Sequence, residues 1–173
     1  MERELADSLE ALHADAFGWA LHCCGGDSLQ AEDVLQNAYL KAVQGRIHYA
    51  EASSLKTWWF GVIRFTVREE QRRQRYRDSL LGRLWQQLQG ESLQSRSIPP
   101  LQIELDEQTL RLQEALSQLP ARQAEVLHLV FYQDLTLSQA AAVMGVGVGS
   151  VRQHYDRGKA RLRTLLQPIP DYE

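Results

Sequence analysis

The chain has 173 residues, 44% of them hydrophobic and 24% charged, which fits one globular domain or two small ones. No apolar run is long enough to cross a bilayer, and the charged opening MERELADSLEALHADAF is not an export signal, so a cytoplasmic protein without membrane insertion is expected. The formal net charge of −3 argues against a uniformly basic nucleic-acid binder.

The charge is unevenly placed. Residues 1–60 hold four bases against nine acids, while 61–83 hold seven arginines against Glu69, Glu70 and Asp78. The chain then turns acidic until about 140, and 141–173 carry Arg152, Arg157, Lys159, Arg161 and Arg163 against Asp156, Asp171 and Glu173. Two basic blocks in an acidic background mark where phosphate could bind.

Sparse Pro and Gly and short β-branched runs predict an all-α protein of two small helical domains joined by a linker. Leu5 to Cys23 reads as one amphipathic helix, with Leu5, Leu9, Leu12, Ala16 and Trp19 or Ala20 inward. Gly25-Gly26 breaks it. Asp27 or Ser28 can cap a second helix to about Gln44, whose inner face is Val34 or Leu35, Ala38, Ala42 and Val43. Its outer stripe is Asp33, Gln36, Asn37 and Lys41. Cys23 and Cys24 are the only cysteines; neighbours in sequence cannot staple a fold, and with His22 they lack further ligands at metal spacing, so no metal or other cofactor is expected.

The loop 45–54 ends in Ser53-Ser54, a capping pair before LKTWWFGVIRFTVREEQRRQRYR. Some of the rings of this third helix must be core. Trp58 and Trp59 cannot both point inward, because adjacent residues lie about 100° apart. A ring left beside the arginines is what unpaired nucleic acid uses, bases stacking while cations hold phosphates. Leu80, Leu81, Leu84, Trp85 and Leu88 form a short amphipathic segment. QGESLQSRSIPPLQIELDE then has linker composition. The expected domains are 1–78, a linker at 79–106, and 107–173.

A helix from Glu107 to Leu119 comes next, and Pro120 is placed at the first position of another. DLTLSQAAAVMGVGVGSVRQHYDRGKARLRTLL then reads as a helix-turn-helix. Leu137, Ala140, Ala141 and Met144 face inward, Ser138 can cap, and Gly145 supplies the turn. In the last helix Val151, Tyr155, Leu162 and Leu165 or Leu166 share one face, with Gly158 on it to let another helix approach. The opposite face carries Ser150, Arg152, Gln153, His154, Arg157 and Arg161, a polar cationic surface suited to a major groove. The histidines at 13, 22, 48, 128 and 154 are scattered, no nucleophile has a nearby base, and no glycine loop cradles phosphate, so the chain is not read as an enzyme.

With these residues in view, the chain resembles a bacterial sigma factor of the extracytoplasmic-function class in the sigma-70 family. LPARQAEVLHLVF and the helix-turn-helix resemble the promoter −35 module; AEDVLQNAYLKAV and SSLKTWWFGVIRFTVREEQRRQR resemble the −10 module. The resemblance implies a factor that binds core RNA polymerase, through its beta-prime and beta subunits, and directs promoter-specific initiation. It implies core-polymerase binding by Asp33, Gln36, Asn37, Leu40 and Lys41. It implies a −10 surface of Tyr49, Ser53, Ser54, Lys56, Trp58, Trp59, Arg64, Arg68, Glu69, Arg72 and Arg73, holding single-stranded promoter DNA. It implies duplex −35 contacts by Gly149, Ser150, Arg152, Gln153, His154, Arg157 and Arg161, and an anti-sigma protein as regulator. The chain departs from the family pattern at Asn37, Phe65, Glu69 and Gly147, where an acid, Asn, Asp and Ser are usual. The alternative is a helix-turn-helix regulator of duplex DNA that acts without replacing a sigma factor; it leaves the arginine-aromatic helix without a task.

Overall fold

The computed structural model describes the backbone of residues 2–88 and 107–167, with the side chains of 5–79 and 110–167. These residues form eight helices and no strand, the all-α architecture that composition predicts. The chain divides into two compact units, Met1–Pro100 and Leu101–Glu173. No described helix is long and apolar enough to cross a membrane.

The first unit contains α1 (Glu2–Ala11), α2 (His13–Cys23), α3 (Ser28–Val43) and α4 (Leu55–Leu88). Where one amphipathic helix is expected from Leu5 to Cys23, the structure breaks it at Leu12. No Gly or Pro causes this; the cause is tertiary. The Leu9 carbonyl accepts from the Leu12 N–H at 3.2 Å and from the Tyr39 hydroxyl of α3, also at 3.2 Å. His13 Nδ1 lies 3.3 Å from that hydroxyl. A side chain thus takes the place of part of the helical ladder. Burial, with the charge of Glu10 adding, holds the Tyr39 phenol above its ordinary pKa.

Asp27 is the cap of α3, its carboxylate accepting from the Gln30 N–H at 3.0 Å. Ala31, Val34, Leu35 and Ala38 are its buried face; Val43, expected inside, is 83% exposed. Small residues on α2 and α3 (Ala16, Ala20, Ala31, Ala38) let the long α4 lie close. Ser54 caps α4, its Oγ accepting from the Thr57 N–H at 3.2 Å. The helix then runs unbroken to Leu88, so the segment that sequence sets apart from Leu80 onward is its continuation. The remainder of the expected linker, 89–106, lies outside the described residues.

The core of this unit is Trp19, Val34, Trp59, Phe60 and Ile63. Trp19 Nε1–H donates to the Phe60 carbonyl at 3.0 Å, and its ring stacks on Phe60 at 5.9 Å. Trp59 is wholly buried against the Tyr39 ring, 5.0 Å away. An ion pair ties α3 to α4: Lys41 Nζ donates to Glu69 at 2.6 Å and to the Thr66 hydroxyl at 3.1 Å. The Lys41 hydrogen bond holds the Glu69 carboxyl below its ordinary 4.5; burial opposes this, and the charges of Lys41, Arg73 and Arg72 add to it. Cys23 and Cys24, at the end of α2, are half-buried and not joined in a disulfide, and burial with Asp27 pushes Cys24 up to about 11, so it stays protonated at neutral pH.

The second unit contains α5 (Glu107–Ser117), α6 (Ala121–Phe131), α7 (Leu137–Met144) and α8 (Val148–Leu165) around Val126, Leu127, Leu129, Ala140, Met144 and Val151. Pro120 is the N-cap of α6, one residue before its expected place. Thr136, not Ser138, caps α7. Its hydroxyl accepts from the Gln139 N–H at 3.2 Å while Gln139 Oε1 accepts from the Thr136 N–H at 2.9 Å, a reciprocal box worth more than a lone serine.

Two stability measurements follow. Trp59→Ala should cost about 3–5 kcal/mol in denaturant unfolding, and Trp58→Ala, half-buried, about 1 kcal/mol; equal losses would contradict the orientation of α4. Glu69 has a lowered folded pKa, so its contribution is complete above the ordinary 4.5 and disappears as pH falls through the folded value. The Tm difference between wild type and Glu69→Gln should therefore shrink below about pH 4.5. A difference independent of pH from 7 to 3 would show that ionisation of Glu69 contributes nothing.

Candidate nucleic-acid interface

In the second unit the turn between α7 and α8 is built on Gly145, in the left-handed region at φ 64° and ψ 40°. α8 then begins with Gly147 as its cap. Val151 is buried, and Gly158 is buried against α6. A Cβ at Gly158 would stand 3.2 Å from both Gln123 Cβ and Leu127 Cδ1, so the close approach expected from sequence is real, and a side chain there would push α6 or its side chains back by a few tenths of an ångström. Tyr155 stacks on Phe131 of α6 at 6.0 Å, with Lys159 Nζ 5.0 Å from its ring centroid. These contacts fix the rotation of α8.

The rotation presents Gly149, Ser150, Arg152, Gln153, Arg157 and Arg161 as exposed residues, with His154 half-buried. Ser150, Gln153, His154, Arg157 and Arg161 form one strip at steps of three and four. Arg152 does not join it. Two residues beyond Ser150 is about 200° around the helix, so Arg152 stands on nearly the opposite side from Ser150. That corrects the single-face reading.

In the first unit the loop before α4 bends at Gly45 (φ 64°) and Glu51 (φ 57°). The Tyr49 hydroxyl donates to the Ser53 carbonyl at 2.6 Å, and the Tyr49 ring lies 5.3 Å from Trp58. Ser53 is half-buried and Ser54 is occupied as the helix cap. Lys56 is drawn to α2, where it pairs with Asp15 at 2.8 Å. The tyrosine and tryptophan thus form a half-buried aromatic corner at the start of α4.

Two expected contacts are overturned by burial. Trp59 is 0% exposed and Arg64 is 6% exposed, so neither side chain is open to a strand on this surface. The reason is the roll of α4: Trp59, Phe60, Ile63 and Val67 point to α2 and α3, and Arg64 follows Ile63 onto the edge of that buried arc. Arg68, Arg72 and Arg73 remain exposed. Glu69 is tied to Lys41 and, at 2.7 Å, to Arg73. Asp33, Gln36, Asn37 and Leu40 are all exposed on α3, but Lys41 turns away from that stripe to Glu69.

Sequence reasoning missed one residue here. Phe65, left unassigned among the rings of the third helix, is 64% exposed, and Lys41 Nζ lies 5.4 Å from its ring centroid. The signal was available: Phe65 is two residues past Ile63, about 200° away on the helix.

The sigma-70 region 2 family matches residues 9–77, and sigma-70 region 4 matches residues 115–164. The ECF RNA polymerase sigma factor SigL of Mycobacterium tuberculosis is 30% identical over 145 residues, 83% of this chain and 78% of that protein. The RNA polymerase sigma factor HrpL of Pseudomonas syringae pv. syringae is 26% identical over 141 residues, 80% of this chain and 74% of that protein. Among solved structures, the sigma factor RpoE in complex with the anti-sigma factor NepR from Bartonella quintana superposes with a TM-score of 0.69 at 26% identity, covering 95% of this chain and 97% of that one. CnrH in complex with the cytosolic domain of CnrY has the same fold, with a TM-score of 0.61 at 21% identity, covering 96% and 89%. Two sigma-70 regions in the expected order, over the helices just described, make this chain an extracytoplasmic-function sigma factor of the sigma-70 family.

Proposed function

We propose that this sigma factor binds core RNA polymerase through α3, reads −35 duplex with α8, and reads and holds an opened −10 strand with the Tyr49–Trp58 corner and α4. The observation that carries the reading is the exposed strip of α8, held outward by the Gly158 contact with α6. Its serine, glutamine and histidine lie in the first two turns, the helix end that enters a major groove, and Arg157 and Arg161 continue the strip with further donors. Arg152, turned away from that strip, suits a phosphate rather than a base edge.

The exposed arc of Asp33, Gln36, Asn37 and Leu40 supports the polymerase contact, and Lys41 supports it only indirectly, by tying α3 to α4. The aromatic corner supports strand capture. A base leaving the duplex costs a few kcal/mol, which stacking and phosphate contacts offset, so opening requires no chemistry from this chain. We extend to this chain the kind of regulator seen with RpoE, an anti-sigma protein that holds it inactive. Unit by unit, the proposed assignment is polymerase binding and −10 reading in 1–78 and −35 reading in 107–173.

The deciding experiment is transcription in vitro from genomic fragments with purified core polymerase, with and without the chain. New transcript starts that need both components support the reading; promoter binding that core polymerase does not alter points to a duplex-DNA regulator instead. Two variants locate the surfaces. Asp33→Arg should reduce co-elution with core polymerase while leaving the helical spectrum intact, and unchanged co-elution removes Asp33 from the interface. Arg157→Ala should lower promoter use by about tenfold, one to three kcal/mol being the ordinary worth of a good base contact. Loss confined to one −35 base pair indicates base reading, uniform loss a phosphate contact, and no loss at all places the reading surface elsewhere.

A further inference from the structure

Phe65 is the anomaly of α4. Its ring faces away from the core and is 64% exposed. The ring does not stand in a neutral surface. Lys41 Nζ, 5.4 Å from its centroid, is held there by bonds to Thr66 and Glu69 made elsewhere. Trp58 lies two helical turns before it and Arg72 two turns after, each about 10.5 Å along the axis, with Arg68 one turn away. The nearby acids are answered: Glu69 pairs with Lys41 and Arg73, and Glu70 with Arg77 at 3.3 Å. The strip therefore carries two rings followed by two arginines, with Lys41 of α3 beside the second ring.

A single exposed phenylalanine is ordinary on a protein surface. One aligned with a second ring and followed by guanidinium groups has the composition that holds nucleobases by their faces and phosphates by charge. A phenyl ring has no hydrogen-bond donor or acceptor, so it cannot read a base edge in the way a polar side chain does. We propose that Phe65 stacks on the face of a nucleobase exposed by strand opening, so that the chain senses at this position that a base is present and not which base it is. The inference rests on the −10 role proposed for α4 and adds a residue and a mode of recognition to it.

The test uses the holoenzyme and promoter DNA whose −10 non-template strand is left unpaired, the promoter being one mapped by the transcription assay. Each base of the unpaired strand and of the adjoining junction is replaced in turn by an abasic site. Wild type should show one position where the abasic site weakens binding by about tenfold to a hundredfold while exchange among the four bases changes it little. Phe65→Leu, which keeps bulk and loses the ring, should weaken binding to the intact probe by the same factor and make that position insensitive to the abasic site. Phe65→Tyr should retain both properties. Co-elution of Phe65→Leu with core polymerase should be unchanged. Phe65→Leu with wild-type affinity, or with an undiminished abasic effect at every position, overturns the inference while leaving the −10 reading in place. Loss of core binding assigns Phe65 to the polymerase interface and overturns it too. If wild-type holoenzyme prefers fully duplex DNA to the unpaired probe, the −10 reading fails and this inference fails with it.

Discussion

The first unit depends on which way α4 is rolled. Trp58 and Trp59 are adjacent on one helix, and the helix allows only one of them a place in the core. Trp59 takes it, against Tyr39, with Phe60 and Ile63 beside it. Everything on the far side follows from that choice. Trp58 stays at the rim with Tyr49, Phe65 faces outward, Arg64 is drawn to the edge of the buried arc, and Arg68 and Arg72 remain exposed. A rotation of one residue would exchange the aromatic corner for the core.

The same logic positions α8. Gly158 has no side chain, so α6 comes within contact, and Val151 and Tyr155 complete the inner face. The polar strip is outward because the inner face leaves it no alternative. Lys41 adds a link inside the first unit. It extends from the helix proposed to meet the polymerase to the helix proposed to meet DNA, and it holds Glu69 ionised. A single ammonium thus neutralises an acid that would otherwise repel phosphate on α4.

Much of this was legible in the sequence, and the exceptions share a cause. Asp27, Ser54 and Gly145 act locally, through caps and a turn, and local chemistry is readable from spacing. Gly158 was readable because a glycine on an apolar helix face has few other uses. The break at Leu12 was not readable, since it arises from the Tyr39 hydroxyl of another helix. Trp59 and Arg64 were placed on the DNA surface by family resemblance, which aligns positions but does not say how deep each lies in this chain. Val43 was assigned inward on composition, and Phe65 was given no side of the helix although helical angle alone would have turned it out. Thr136 lost to Ser138 only because the box with Gln139 was not counted. Of the candidate site, the polar surface of α8 was legible apart from the placement of Arg152, whereas on α4 Arg68, Arg72 and Arg73 are exposed as expected and Trp59 and Arg64 are buried.

The central claim is that this chain confers promoter opening on a polymerase that lacks it. Permanganate reactivity of thymines on supercoiled promoter DNA reports opening directly. The account predicts reactive thymines within the −10 region when chain and core polymerase are both present, and none with either alone. Reactivity with core polymerase alone, or duplex protection by the complete holoenzyme with no reactive thymine under conditions that support transcription, would contradict it.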